Sequence, residues 1–392
     1  MTRRTVAVVT PFYPPRVGGV ERYAERIASE LRDSPDLRPV VITSAPGRRG
    51  EVQIRDGVEV VRLPRLVTVS NTPMNPLWLL QLHRVLRRHR VELVNTHAPV
   101  PFLADLAALV AGRRPLVATY HSGSMVKHSG ALDPLIRLYE AHLLTRTFRR
   151  ADNVVAVSRT ALGHDVPGAR VITPGVDTDT FTPARQPWGT TLLYVGRIER
   201  ASAWKGIDVL LRAFALVVAQ EPRARLRLVG SGDAVEDQRA LARSLGIADR
   251  VEFTGTLATK DLVGAYQHAR ALVLPSLTES ESFGMTLVEA MACGRPVVGS
   301  DIGGIPTVVD DGDTGLLVPP GDVSALARAC LRVLGDDELC AQLGAAGRRR
   351  AETTYAWPAL TDDYLTLFRS LLGPERPPSP GARRTAGAGQ EP

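Results

Sequence analysis

The chain has 392 residues, 44% of them apolar, a mean hydropathy of −0.02 and a net charge of +7. That length admits two domains with separate cores, and no apolar run is long enough to span a membrane. The positive charge admits nucleic acid, an anionic membrane face or phosphorylated substrates as partners, but aromatics do not interleave with the arginines and no nucleic-acid module is found, so nucleic acid is set aside.

Arg3-Arg4 ahead of Val6–Val9 mimics a signal peptide, but the apolar run is too short and Pro11, Pro14 and Pro15 break it. It reads as a first strand. The turn that follows contains Gly18-Gly19 and leads into a helix from Val20 to Arg32. A glycine pair between strand and helix lets a diphosphate approach backbone, or forms an ordinary turn. Further strands are predicted at Pro39–Thr43, Val58–Leu63, Val91–Thr96, Leu116–Tyr120, Val154–Val157 and Val171–Ile172. Helices are predicted at Leu77–Arg88 and Phe102–Val110, with one more from about Leu132 to Phe148. His97 and His121 lie where two of these strands end. A histidine there, beside Ser122-Gly123, can donate to a substrate hydroxyl.

Asp177-Thr178-Asp179 has a metal–diphosphate spacing but too few oxygen donors around it, and it reads as structural. Pro183 and Pro187 mark a linker. The strand–helix alternation then restarts at Leu192–Val195, followed by Gly196-Arg197, Trp204-Lys205-Gly206 and a helix Ile207–Val218. Val229-Gly230-Ser231-Gly232 lacks the third glycine of a dinucleotide fingerprint, because position 235 is Val235. Phe253-Thr254-Gly255 ends another strand.

The most informative stretch runs from Leu274 to Ser300. A buried strand, Ala271–Leu274, stops at Pro275; a loop carries Glu279 and Glu281; Phe283-Gly284 opens a helix, Met285–Ala292; and Val297-Val298-Gly299 starts the next strand. The helix start offers N–H groups at Gly284, Met285 and Thr286 to an anion. Glu281 and Glu289 flank it. If both were helical, eight residues would separate them by about 80° and about 12 Å, too far to work as a pair but suited to one long ligand. Helices Val323–Leu334 and Asp337–Ala351 follow, and the chain from Pro374 has a disordered composition. Cys293, Cys330 and Cys340 are odd in number and without metal spacing, as in a reducing cytosol.

The segment E-S-F-G-M-T-L-V-E, from Glu281 to Glu289, resembles the E-x7-E motif of retaining glycosyltransferases of the GT-B fold, family 4. P-x-x-G-G-V-E-R-Y, the Tyr120–Gly123 segment Y-H-x-G, and V-G-R…W-K-G fall in the family's order, and the resemblance covers nearly the whole chain except its tail.

It implies an α/β fold of two Rossmann-like domains facing across a cleft. Residues 1–175 would form the acceptor domain, 176–190 the linker and 191–352 the nucleotide-sugar domain. Residues 353–372 would cross back to the first domain, and 373–392 would be a disordered tail. It further implies transfer of a hexosyl or N-acetylhexosaminyl group from a UDP- or GDP-sugar to a glycan, lipid-linked or small-molecule acceptor, with anomeric retention and without a metal or other cofactor.

In that reading Arg197 and Lys205 hold the diphosphate with Gly18, Gly19, Gly284, Met285 and Thr286. Glu281 positions the hexose and His121 orients it. Glu289 takes the ribose, Gly230 and Gly255 border the nucleotide, and His97 and Lys127 face the acceptor. The expected location is the cytoplasm, with peripheral contact to an anionic membrane left open. A glycoside hydrolase would have no use for the anion site. A sugar-nucleotide epimerase or a non-catalytic sugar-nucleotide-binding protein would differ in what it releases from donor alone.

Overall fold

The computed structural model describes residues 3–16, 18–69, 72–126, 133–184 and 189–374. Ten strands precede the linker: β1 (Arg4–Val9), β2 (Leu37–Ser44), β3 (Glu51–Arg55), β4 (Val58–Leu63), β5 (Val67–Val69), β6 (Thr72–Met74), β7 (Val91–Ala98), β8 (Leu116–Tyr120), β9 (Asn153–Ala156) and β10 (Arg170–Val171). All but β5 and β6 form one sheet in the order β10-β9-β8-β7-β1-β2-β4-β3. It is parallel except where β3 turns back on β4. Neither the β3 strand, despite the polar–apolar alternation of Glu51–Arg55, nor the small β5–β6 hairpin is among the predicted strands.

Six strands follow the linker: β11 (Thr191–Val195), β12 (Arg225–Val229), β13 (Val251–Gly255), β14 (Ala271–Leu274), β15 (Val297–Ser300) and β16 (Leu316–Val318). They make an all-parallel sheet in the order β13-β12-β11-β14-β15-β16. Helices cover both faces of such sheets, which is why Val6–Val9 and Ala271–Leu274 are apolar at every position and fully buried. Each sheet has a switch point where successive connections leave in opposite directions, at β1/β7 in the first and at β11/β14 in the second. Ligands of open α/β sheets bind there.

The helix Gly19–Asp33 buries Tyr23, Ala24, Ile27, Ala28 and Leu31, an i, i+4 stripe that sets it against the first sheet. The last helix, Trp357–Leu372, returns to that same core. Trp357, Leu360, Tyr364, Leu367 and Phe368 join its apolar cluster, the Tyr364 and Tyr23 hydroxyls meet at 3.2 Å, and Arg369 forks onto Asp36 at 3.0 and 2.8 Å.

The single helix expected from about Leu132 to Phe148 is instead three pieces. Asp133–Tyr139 and Thr145–Arg150 are α-helical, and Glu140–Leu144 between them is a π-turn. The widened turn aims the Glu140 carboxylate at the Ser124 hydroxyl (2.9 Å) and the Met125 N–H (2.7 Å), so the loop after β8 is tied down. Asp177 accepts from the backbone N–H of Asp179 and Thr180, both at 3.1 Å, and from the Thr180 hydroxyl at 2.9 Å. That is a turn-forming role. Among the described residues no helix is long and apolar enough to cross a membrane, and all three cysteines are buried thiols.

Candidate active site

At the second switch point two loops leave β11 and β14 and pack on each other. Gly206 has φ +69°, and a Cβ there would lie 2.1 Å from the Pro275 carbonyl oxygen, so only glycine permits the approach. The Leu277 N–H donates to the Trp204 carbonyl at 2.7 Å. This contact sets Lys205 beside the acidic loop, where its ammonium meets Glu281 Oε2 at 2.9 Å. Both side chains are largely buried, at 14% and 12% exposure. The Ser276 hydroxyl donates to the same carboxylate oxygen at 3.3 Å.

Arg197 stays 53% exposed, with only a loose contact of 3.6 Å to Glu199. Gly284 is left-handed, φ +88°, and begins the helix Met285–Ala292 without a side-chain cap. The N–H groups of Met285 and Thr286 therefore precede any intrahelical acceptor. Gly230 and Gly255 belong to a neighbouring contact. The Gly230 N–H donates to the Gly255 carbonyl at 2.9 Å, and a Cβ on Gly230 would lie 1.8 Å from the Gly196 carbonyl oxygen. Backbone packing accounts for the glycine at 230; Gly255, at the end of β13, is left-handed (φ +73°) with nothing within 4 Å of a Cβ.

Glu289 is buried inside its helix, and burial raises its pKa above the usual carboxylate range. Two donors oppose that rise in part. Arg22 reaches it at 2.8 Å from the first helix of the other domain, and the Tyr266 hydroxyl donates to its second oxygen at 2.6 Å. Arg22 keeps 39% of its side chain exposed, against 4% for Glu289.

Arg22 lies one turn after Gly18-Gly19, so the helix start of the first domain faces that of the second. Gly18 is extended (φ −175°, ψ 170°) and Gly19 would meet nothing within 4 Å if given a Cβ. Glu21 folds back over Gly18 and pairs with Arg16 at 3.4 Å. Its carboxyl is raised by burial and drawn down in part by its own backbone N–H, Arg16 and Arg197.

On the β7 side of the first domain's switch point the polar groups are imidazoles. His121 follows β8 and His97 lies in β7; His97 Nδ1 and His121 Nε2 are 2.9 Å apart. Burial lowers His97 to about 3 and takes His121 well below the usual imidazole value, with His97 a secondary cause. Burial disfavours a charge on either ring. The His121 carbonyl accepts from the Ser282 hydroxyl at 2.7 Å, and a Cβ on Gly123 would lie 2.8 Å from the Glu279 carbonyl oxygen. The histidine loop thus rests on the acidic loop.

The structure accordingly pairs Glu281 with Lys205, rests the backbone of the His121 loop on the same acidic loop, and places Arg197, Gly284, Met285 and Thr286 on the connected loops. His97 does not reach the cleft. Its side chain is fully buried against His121, and a direct contact with an acceptor is ruled out by that burial. Lys127 lies outside the described residues. Arg22, Glu21, Tyr266 and Ser282 were not singled out from sequence. Arg22 and Glu21 sit inside the glycine-pair segment, where only the glycines carry a legible signal; Tyr266 stands in a helix, Thr259–His268, without a motif.

Two parallel-sheet domains that face each other through their switch points, one lined by cations at a helix start, define a GT-B glycosyltransferase. The sequence relatives agree. The family model described as Glycosyltransferase Family 4 matches residues 17–180, and that described as Glycosyl transferases group 1 matches residues 189–336.

The GDP-mannose-dependent alpha-(1-6)-phosphatidylinositol monomannoside mannosyltransferase of Mycolicibacterium smegmatis is 31% identical over 379 residues, spanning 89% of this chain and 94% of that one. A D-inositol 3-phosphate glycosyltransferase of Streptomyces scabiei is 36% identical over 390 residues, spanning 87% and 83%. Among solved structures, sucrose-phosphate synthase from Thermosynechococcus elongatus superposes with a TM-score of 0.74 at 26% identity, covering 94% of this chain and 99% of its own. The chain belongs to the family 4 glycosyltransferases.

Proposed function

We propose that the protein moves a hexosyl or N-acetylhexosaminyl group from a UDP- or GDP-sugar to a glycan, lipid-linked or small-molecule acceptor, with retention and without a metal. The observation that carries this reading is the placement of Lys205 and Glu281 as a buried 2.9 Å pair on the loops that lead to the uncapped helix start at Gly284. As the glycosidic bond to phosphate breaks, negative charge grows on the departing diphosphate. Lys205, Arg197 and the N–H groups of Met285 and Thr286 are the preorganised donors for that charge. Once Lys205 turns to phosphate, Glu281 gains acceptor capacity for hexose hydroxyls. Glu289, fixed by Arg22 and Tyr266, offers the ribose a carboxyl acceptor whose position is already set. The glycine pair at Gly18-Gly19 brings the opposing helix start to the same diphosphate.

The relatives named above favour GDP-mannose or another nucleotide sugar and inositol-bearing acceptors as the first compounds to try. Peripheral contact with an anionic membrane fits the first domain. Among the described residues it carries every exposed large apolar side chain except Leu216, Leu77 and Leu80 among them, close to Arg84, Arg87 and Arg88. Such a pattern suits an interfacial contact.

The test is incubation with labelled UDP- and GDP-sugars, with and without candidate acceptors. Acceptor-dependent transfer giving the donor's own anomeric configuration supports the proposal. Binding of donors with no turnover under any condition would make it a sugar-nucleotide-binding protein instead, and an altered sugar released from donor alone would make it an epimerase.

A further inference from the structure

His97 is the buried member of a two-ring unit whose second member lies at the cleft. The rings meet through His97 Nδ1 and His121 Nε2 at 2.9 Å, with ring planes 19° apart. Burial disfavours a charge on either ring, so one nitrogen of this 2.9 Å pair carries the proton and the other accepts it. Which one is decided at the far side of His97. Its Nε2 is buried and has no hydrogen-bond partner among the described residues. Tyr23 stands edge-on to both rings, with centroid distances of 6.0 Å to His97 and 4.9 Å to His121.

Burying an N–H with nothing to accept it costs more than leaving a lone pair unused, because orphaned buried donors are the rarer and more expensive case. The His97 proton therefore belongs on Nδ1, pointing at His121 Nε2. His121 must then hold its own proton on Nδ1.

We propose that His97 is a positioning residue that donates from Nδ1 to His121 Nε2, fixing His121 as a neutral Nδ1–H donor to an oxygen of the bound sugar nucleotide. The assignment deepens the donor-transfer reading and rests on it for the identity of that oxygen, though not for the proton positions. It explains why a histidine is spent inside a sheet where an apolar residue would pack as well. It also explains how a cleft histidine keeps one hydrogen-bonding role across the pH range in which free imidazole titrates.

The neighbours agree. From the first helix the titratable group facing the rings is Tyr23; Tyr364 of the last helix meets Tyr23 and the Thr119 hydroxyl; and no carboxylate or cation contributes to the pKa of either ring. The Ser282 hydroxyl on the His121 carbonyl fixes the backbone at the same time.

The test has two readouts on the full chain. Imidazole nitrogen NMR of the histidine-labelled protein without ligand should show both rings neutral from pH 6 to 8, each protonated on Nδ1. A His121 proton on Nε2, or a charged ring in that range, would overturn the proposal. In turnover of the donor that the wild type uses, His97→Leu should lower kcat by roughly 10- to 100-fold with little change in donor KM, the size of one lost buried hydrogen bond, and His97→Asn, whose amide nitrogen lies where Nδ1 does and can donate to His121 Nε2, should recover most of it. Equal kcat for His97→Leu and the parent would reduce His97 to core packing. A parent that transfers no sugar from any donor would sink the transferase reading, while the NMR experiment would still decide the proton positions.

Discussion

In the second domain the crevice beside β11 and β14 is lined by ions. Lys205 faces Glu281, Glu289 is clasped from across the cleft by Arg22, and Arg197 stands half in solvent. In the first domain the crevice beside β1 and β7 holds two imidazoles that burial keeps uncharged, next to a glycine pair. The folds of the two halves are alike, so the difference lies in what each must hold. The charged side suits the part of a donor that gains charge as a bond breaks. The neutral side suits hydroxyls and esters, which need direction more than counter-charge. A neutral donor also spares the cleft a charge that would vary with pH.

The sharpest way to break this comparison is to remove a charge on the ionic side. Lys205→Ala should cost about a hundredfold or more in kcat, as loss of a preorganised donor to a developing anion does elsewhere, while far-UV dichroism stays unchanged.

The glycines sharpen it next. Gly284→Ala forces a side chain into a left-handed position, where its Cβ would lie 2.7 Å from Leu287, and should lower unfolding stability by about 1–2 kcal/mol in a denaturant titration. Gly19→Ala should cost no stability, since nothing lies within 4 Å, yet raise donor KM.

Arg22→Ala tests whether the two sides act together. It should weaken donor binding roughly tenfold, near the low end for a hydrogen bond to a charged group, because Arg22 is partly exposed. Glu289 is already raised by burial and Arg22 pulls it down, while Tyr266 and Cys293 are the other titratable groups beside it. Without Arg22 the carboxyl protonates at higher pH, so the acid limb of donor binding should move to higher pH. An unmoved limb would show that Glu289 is not the group being read.

The smallest effect concerns the helix that returns to the first domain. The Arg369 fork holds Asp36 well below the usual carboxylate range. A lowered folded pKa stabilises above the unfolded value of about 4 and loses that contribution as pH falls through the folded one. Both groups are well exposed, so Arg369→Ala should cost under about 1 kcal/mol at pH 7, and the difference from the parent should vanish in acid.

The parallel strands were legible because their apolar runs are continuous, and the helix at Met285 because Gly284 and the strand on either side bound it. Glu281, Lys205 and Gly284 were singled out by the resemblance of their segments to the family 4 motifs, since spacing alone left them open to a solvated loop or helix face. Glu289's partners could not. Arg22 and Tyr266 come from elements 267 and 23 residues away in sequence, and pairing across two domains leaves no local pattern. His97 misled because its position at a strand end suggests a cleft, whereas the strand continues to Ala98 and turns the ring inward. The π-turn at Glu140 was hidden for a similar reason, since the Ser124 and Met125 groups its carboxylate meets lie in a separate loop.

The most direct test compares nucleoside diphosphate with nucleoside monophosphate. The parent should bind the diphosphate more tightly, and the double variant Arg197→Ala with Lys205→Ala should lose that preference and its sugar transfer while still binding the monophosphate. A double variant that keeps the preference and transfers sugar as fast as the parent would contradict the assignment of these two cations to the departing diphosphate.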